Sequence, residues 1–189
     1  MCSASLHAQY DKATWLFEVV GGPVSPSNPT VTVNLYAAFP QLSPSTSYGQ
    51  GDLAISSTDP TGWFHGMTKG SGLGYCGGAI LGVPNQAGGV DELGFFQIGV
   101  LGCAPNTYNP IHIWEAEWTT DNFKPRTVTL ASFETTFFNV FLQAGNFFPD
   151  VFLYPDKFEH GSGVIQVVPA PGSIACIGAA LVASRRRRF

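Results

Sequence analysis

The chain has 189 residues, room for one domain of about 150 to 160 residues and a tail. Charged side chains are scarce at 12% while apolar residues reach 44% and aromatics 13%, so there is a core to bury, which excludes a disordered polar chain. The net charge is −4, but four of the nine basic residues are consecutive near the end; without them five basic residues face thirteen acidic ones, a body near −8, which excludes nucleic acid as a partner.

The first nine residues, Met1-Cys2-Ser3-Ala4-Ser5-Leu6-His7-Ala8-Gln9, read as the remnant of an export leader with a small residue for cleavage at Ala8. The apolar stretch that such a leader needs is missing in front, so the true start is expected upstream. Residues 10–167 then read as one β-domain. Residues 15–20 alternate, with Trp15, Phe17 and Val19 opposed to Leu16, Glu18 and Val20, and Gly21-Gly22-Pro23 ends the strand. In residues 30–39 Val31, Val33, Leu35, Ala37 and Phe39 share one face and Thr32, Asn34 and Tyr36 the other, the pattern of a half-buried strand. A polar connection through residues 43–47 leads to a short strand at 52–56, closed by the turn residues 58–62.

Residues 66–89 hold nine glycines and little periodicity. Residues 70–74 read as a flexible loop; a phosphate cradle would need a preceding strand, a following helix and a Lys-Ser or Lys-Thr end. Short strands are expected at 79–83 and 93–100. In residues 111–119 His112, Trp114, Ala116 and Trp118 fall on one face and Ile113, Glu115 and Glu117 on the other, which makes the tryptophans core. Further strands are expected at 127–133, 136–142, 151–154 and 163–168. Eight or nine short strands separated by Gly and Pro predict an all-β fold, a single β-sandwich of jelly-roll or immunoglobulin/cohesin-like kind. The body pattern is similar to cohesin-like and carbohydrate-binding sandwiches, a likeness of fold alone.

The tail departs from this pattern. Val168, Pro169, Ala170, Pro171 and Gly172 precede an apolar run, Ile174, Ala175, Cys176, Ile177, Gly178, Ala179, Ala180, Leu181, Val182 and Ala183, and then Arg185, Arg186, Arg187 and Arg188. As a helix that run covers about 15 Å, half of the ~30 Å hydrocarbon core, so a short C-terminal helical segment, held transiently in the inner membrane with its arginines as a cytoplasmic stop, is expected. The order resembles the PEP-CTERM class of bacterial sorting signals, with Ala170 in place of the usual central glutamate. That resemblance covers residues 168–189 only. It implies an exosortase-type processing enzyme as partner, an exported protein of the cell envelope or extracellular matrix, and a biofilm setting with extracellular polysaccharide.

Cys2 falls in the leader remnant and Cys176 in the sorting segment, which leaves Cys76 and Cys103 in the body. In an oxidising compartment the pair reads as a disulfide; neither has a partner at metal-ligand spacing, and a cytoplasmic chain would keep them as thiols. No cofactor is implied, although the loop residues Asp59, Asp121, Asp150 and Asp156 offer carboxylates to a structural calcium ion.

No catalytic motif is present: there is no Gly-x-Ser-x-Gly elbow and no His-Glu-x-x-His. Glu115 and Glu117 are the best acid pair, about 6.5 to 7 Å apart along one strand face, yet alternating glutamates also mark any strand with a wet side. Among aromatics outside the strands, Trp63 and Tyr108 are candidate glycan contacts, and Phe64, Tyr48 and Tyr75 lie in similar connections. The expected function is a structural or adhesive binding module without enzymatic activity, with a carbohydrate-binding or glycosidase-like exported protein as the alternative.

Overall fold

The computed structural model describes residues 13–38, 46–73, 76–98, 110–134, 140–143 and 158–169. They form β-strands joined by turns, with no helix among the described residues: β1 Ala13–Val20, β2 Thr30–Ala38, β3 Thr46–Ser57, β4 Gly62–Lys69, β5 Gly77–Pro84, β6 Val90–Ile98, β7 Ile111–Thr120, β8 Arg126–Glu134, β9 Val140–Gln143, β10 Phe158–His160 and β11 Ser162–Val167. Two sheets result. One runs β10-β1-β2-β7-β4; the other runs β11-β8-β3-β6-β5, with β9 paired to the first half of β3. Every strand pair is antiparallel except β1 with β10.

Alternation builds the sandwich. Val31, Val33, Leu35 and Ala37 of β2 point inward with Trp114, Ala116 and Trp118 of β7, and they meet Leu53, Ile55, Leu93, Phe95, Val128, Leu130 and Ile165 from the other sheet. Trp15 and Phe95 cross the gap edge to face, with ring centres 5.7 Å apart. Each such side chain, fully buried, contributes about 1.5–3 kcal/mol. Gly62 makes room for one of them: a Cβ there would overlap the Trp118 indole.

Four expectations change. Residues 62–69, read as the end of a turn and the start of a glycine-rich loop, form β4, and Phe64, read as a connection aromatic, is core against Trp114 with ring centres 5.7 Å apart. The loop at 70–73 is pinned: Gly70 N–H donates to Ile113 O and Gly72 N–H to His112 O, both at 2.9 Å, and Leu73 is buried. The strand expected at 52–56 is longer, because its first half recruits β9. His112 is not on the tryptophan face. Leu35 pairs with Trp114 but Tyr36 with His112, so Ile113 is an extra residue in β7; this β-bulge buries both Ile113 and Trp114 and turns His112 outward.

Of the tail, Val168 and Pro169 are described, and Val168 N–H donates to Val24 O at 2.8 Å. Ala170, the helical segment and Arg185–Arg188 lie outside the described residues, as do the leader remnant, Phe39, the strand expected at 151–154 and the residues 135–139.

Candidate functional site

The outer faces of the two sheets differ in chemistry. On the six-stranded sheet the outward positions mix polar residues, among them Ser56, Thr127, Thr129 and Gln166, with four large apolar ones: Ile80 of β5, Phe96 of β6, Phe133 of β8 and Val164 of β11 are 61%, 46%, 43% and 50% exposed. Ile80 and Phe133 flank one depression, while Val164 stands apart beside Thr129. Between Ile80 and Phe133 lies an open pocket of about 410 Å³, floored by Ala54 and Leu93 and edged by Asp52, Asp91 and Glu92.

A bulge makes that pocket. Leu53 pairs with Leu93 and Ile55 with Val90, so Ala54 faces two residues, Asp91 and Glu92. Glu92 takes φ of 55°, the left-handed region that non-glycine residues rarely enter. Asn85 Nδ2 donates to Asp91 Oδ1 at 3.0 Å. Among the described residues neither Asp91 nor Glu92 has a cationic partner; the ion pairs are Arg126 with Asp59 and His65 with Glu117. The pocket therefore offers apolar walls and carboxylate oxygens together, a match for a side chain with an aliphatic stem and a positive head.

The five-stranded sheet carries a polar outer face. Glu18 accepts hydrogen bonds from Asn34 Nδ2 at 3.0 Å and the Tyr36 hydroxyl at 2.7 Å, and these two donors hold its carboxyl below the ordinary glutamate range. Burial and then the Glu18 carboxylate push the Tyr36 phenol up to about 12. The His112 ring packs over Tyr36 with centres 4.9 Å apart, and its Nδ1 accepts from the Ser71 N–H at 3.2 Å. The proton of a neutral ring then sits on Nε2. That atom and Asn34 Oδ1 are buried without a hydrogen-bond partner among the described residues.

Glu115 and Glu117 do share this face, as their spacing predicts. Glu117 Oε2, however, lies 3.4 Å from His65 Nδ1. Two carboxylates side by side on one strand cannot flank a scissile glycosidic bond from opposite sides. Asp59, offered to calcium by the sequence, is committed elsewhere: Oδ1 accepts from Thr61 N–H and Oγ1 at 2.9 and 2.7 Å, and Oδ2 accepts from Arg126 Nε and Nη2 at 2.9 and 2.6 Å. Burial alone would raise its pKa, but the Thr61 and Arg126 hydrogen bonds outweigh that and hold the carboxyl below the usual aspartate value. Among the described residues no group of three His, Cys, Asp or Glu is placed to hold a metal. Asp150 and Asp156 lie outside the described residues.

Trp63 is 43% exposed on β4, facing out because Phe64 faces in. Tyr108, its companion in the sequence reading, lies outside the described residues, as does Tyr75; Tyr48 is in β3. Cys76, just before β5, is disulfide-bonded, while Cys103 is outside the described residues. No helix among the described residues is long and apolar enough to cross a membrane.

No protein-family model matches the sequence, and no curated protein matches it. Solved structures do match. A cohesin module from a family 33 glycoside hydrolase of Clostridium perfringens aligns over 84% of this chain and 98% of its own length, with TM-score 0.53 and 9% identity. The fold is cohesin-like. Weaker likenesses are the seventh ScaB type I cohesin of Pseudobacteroides cellulosolvens, at TM-score 0.48, 11% identity and 82% and 94% coverage, and a type I cohesin–dockerin complex of Clostridium thermocellum, at TM-score 0.49, 10% identity and 81% and 99% coverage. At such identities the shared property of this cohesin-like sandwich is its architecture, and its outer faces are its own.

The six-stranded face escaped the sequence reading. Asp52, Ile80, Asp91, Glu92 and Phe133 carry no motif, and an alternating strand tells which residues share a side but not which side is wet when both are apolar. The run Ala79-Ile80-Leu81 followed by Val83, with no polar residue between Gly77 and Pro84, was the available signal.

Proposed function

We propose that the chain is an exported binding module of the cell envelope or extracellular matrix, structural or adhesive and without catalytic activity, that holds a protein partner on the outer face of its six-stranded sheet. The observation that carries this is the carboxylate-edged pocket walled by the exposed Ile80 and Phe133, with Phe96 exposed on the same sheet face. Burying these apolar side chains at about 25 cal/mol per Å² drives association, and the acidic edge selects a partner with basic and aliphatic residues. The cohesin-like architecture suits a module of this kind. Residues 168–189 serve as the sorting tail, met by an exosortase-type enzyme after transient anchoring in the inner membrane, and the Cys76–Cys103 disulfide closes a loop of about 28 residues, worth roughly 3 to 4 kcal/mol in the chain-entropy view.

One experiment reads both parts. The full chain, fused to a secretory leader, is produced in a host that has an exosortase and in the same host without it, as wild type and as the double variant Ile80→Asp, Phe133→Asp. Intact mass of the recovered protein is expected to show loss of the tail only in the first host. A defined envelope partner is expected to co-purify with the wild type and to be lost, at least tenfold, from the double variant with unchanged circular dichroism. Equal recovery with both forms removes the binding face; identical mass in both hosts removes the sorting tail.

A further inference from the structure

We infer that the outer face of the five-stranded sheet around Trp63 is a second, separate binding site, for a neutral polysaccharide. The chain has four tryptophans. Trp15, Trp114 and Trp118 are fully buried, while Trp63 is 43% exposed. Its direction is dictated by register, since Phe64 and the Gly62 backbone turn inward toward Trp118 and Trp114. The indole therefore lies on an open sheet face at the edge strand β4, available for flat contact with the C–H face of a sugar ring.

The neighbours supply the polar half of such a contact. Trp63 pairs with Thr119, which pairs with Thr30; one row along, His65 pairs with Glu117, which pairs with Thr32. Thr30 Oγ1 donates to Thr119 Oγ1 at 3.3 Å, and His65 and Glu117 stand 3.4 Å apart with side chains 42% and 54% exposed. Hydroxyl, imidazole and carboxylate groups thus repeat across strands about 4.8 Å apart, a spacing comparable with the length of one sugar ring. A row of donors and acceptors beside one aromatic platform binds successive hydroxyl-rich rings.

Charge narrows the ligand. Glu18, Glu115 and Glu117 all belong to this face, and the body is acidic. A polyanionic chain is repelled, so the polysaccharide is a neutral one. The site is independent of the proposed protein-binding face, which lies on the other sheet.

The test uses the full chain in native gels that contain hydroxyethylcellulose, xyloglucan, galactomannan or, as the anionic arm, alginate. Retardation by at least one neutral polysaccharide is expected, weakened tenfold or more by Trp63→Ala and preserved in Ile80→Asp, Phe133→Asp. Because Trp63 is the exposed indole among the four, the acrylamide-quenchable part of the tryptophan emission is expected to shrink at saturating polysaccharide, and Glu117→Gln to weaken binding severalfold. No retardation by any neutral polysaccharide, retardation by alginate alone, or wild-type retardation of Trp63→Ala would each overturn the inference. Loss of retardation in the Ile80, Phe133 variant would also overturn it, by placing the sugar on the wrong sheet.

Discussion

Asp59 and Arg126 tie the turn after β3 to the turn before β8. Arg126 spends every nitrogen there: beyond Asp59 it donates to Asn122 O, Lys124 O, Thr61 Oγ1 and Thr120 Oγ1. The folded-state pKa of Asp59 lies below its unfolded value, so the unfolded state binds the proton first on acidification. The stabilisation is complete above the unfolded aspartate value of about 4 and is lost as pH falls through the lower folded value. Asp59→Asn is expected to lose about 1.5 to 3 kcal/mol at pH 7, the worth of hydrogen bonds to a charged group, and to flatten the acid limb of a urea-unfolding series. An acid limb as steep as that of the wild type would contradict this role. At the same scale the sequence was partly misleading. Asp59 offered a loop carboxylate, yet nothing local tells that Arg126, 67 positions away, claims it. His112 was placed on the wrong face because strict alternation was assumed through Ile113.

The strands were legible in proportion to the contrast between their faces. β2 alternates apolar and polar residues from Thr30 to Ala37, and in β8 and β11 the inward sets, Val128 with Leu130 and Ile165 with Val167, are buried although Phe133 and Val164 break the alternation by facing outward. β4 and β5 were hard to read because Gly62, Gly66, Gly77 and Gly78 look like breakers. Gly62 has a packing reason instead. With the Trp118 ring lying where a Cβ would be, Gly62→Ala must displace a fully buried indole from the centre of β7. The expected cost is about 1 to 3 kcal/mol, as for overpacking, measured by urea denaturation with Gly22→Ala, whose Cβ meets nothing within 4 Å, as the neutral control. Equal midpoints for the two variants would show that Trp118 does not press on β4. The β6 bulge at Asp91 and Glu92 is a further case: register, not composition, creates it, so the pocket it opens has no signature in one strand's sequence.

At the scale of the molecule, the sandwich was foreseeable from the spacing of its strands, whereas the contrast between its outer faces was not. One face carries an apolar pocket edged with carboxylates; the other carries the Glu18, Asn34 and Tyr36 hydrogen bonds made within the sheet. A domain whose stability needed both inner faces alone would gain nothing from Ile80, Phe96, Phe133 and Val164 in water. The proposed protein partner covers them. Carbene footprinting read by mass spectrometry, on the chain in the cells that produce it and on the same chain purified and dilute, measures whether they are covered. Ile80 and Phe133 are expected to be labelled severalfold less in the cells than in the purified protein. Equal labelling of both residues in the two samples would contradict it.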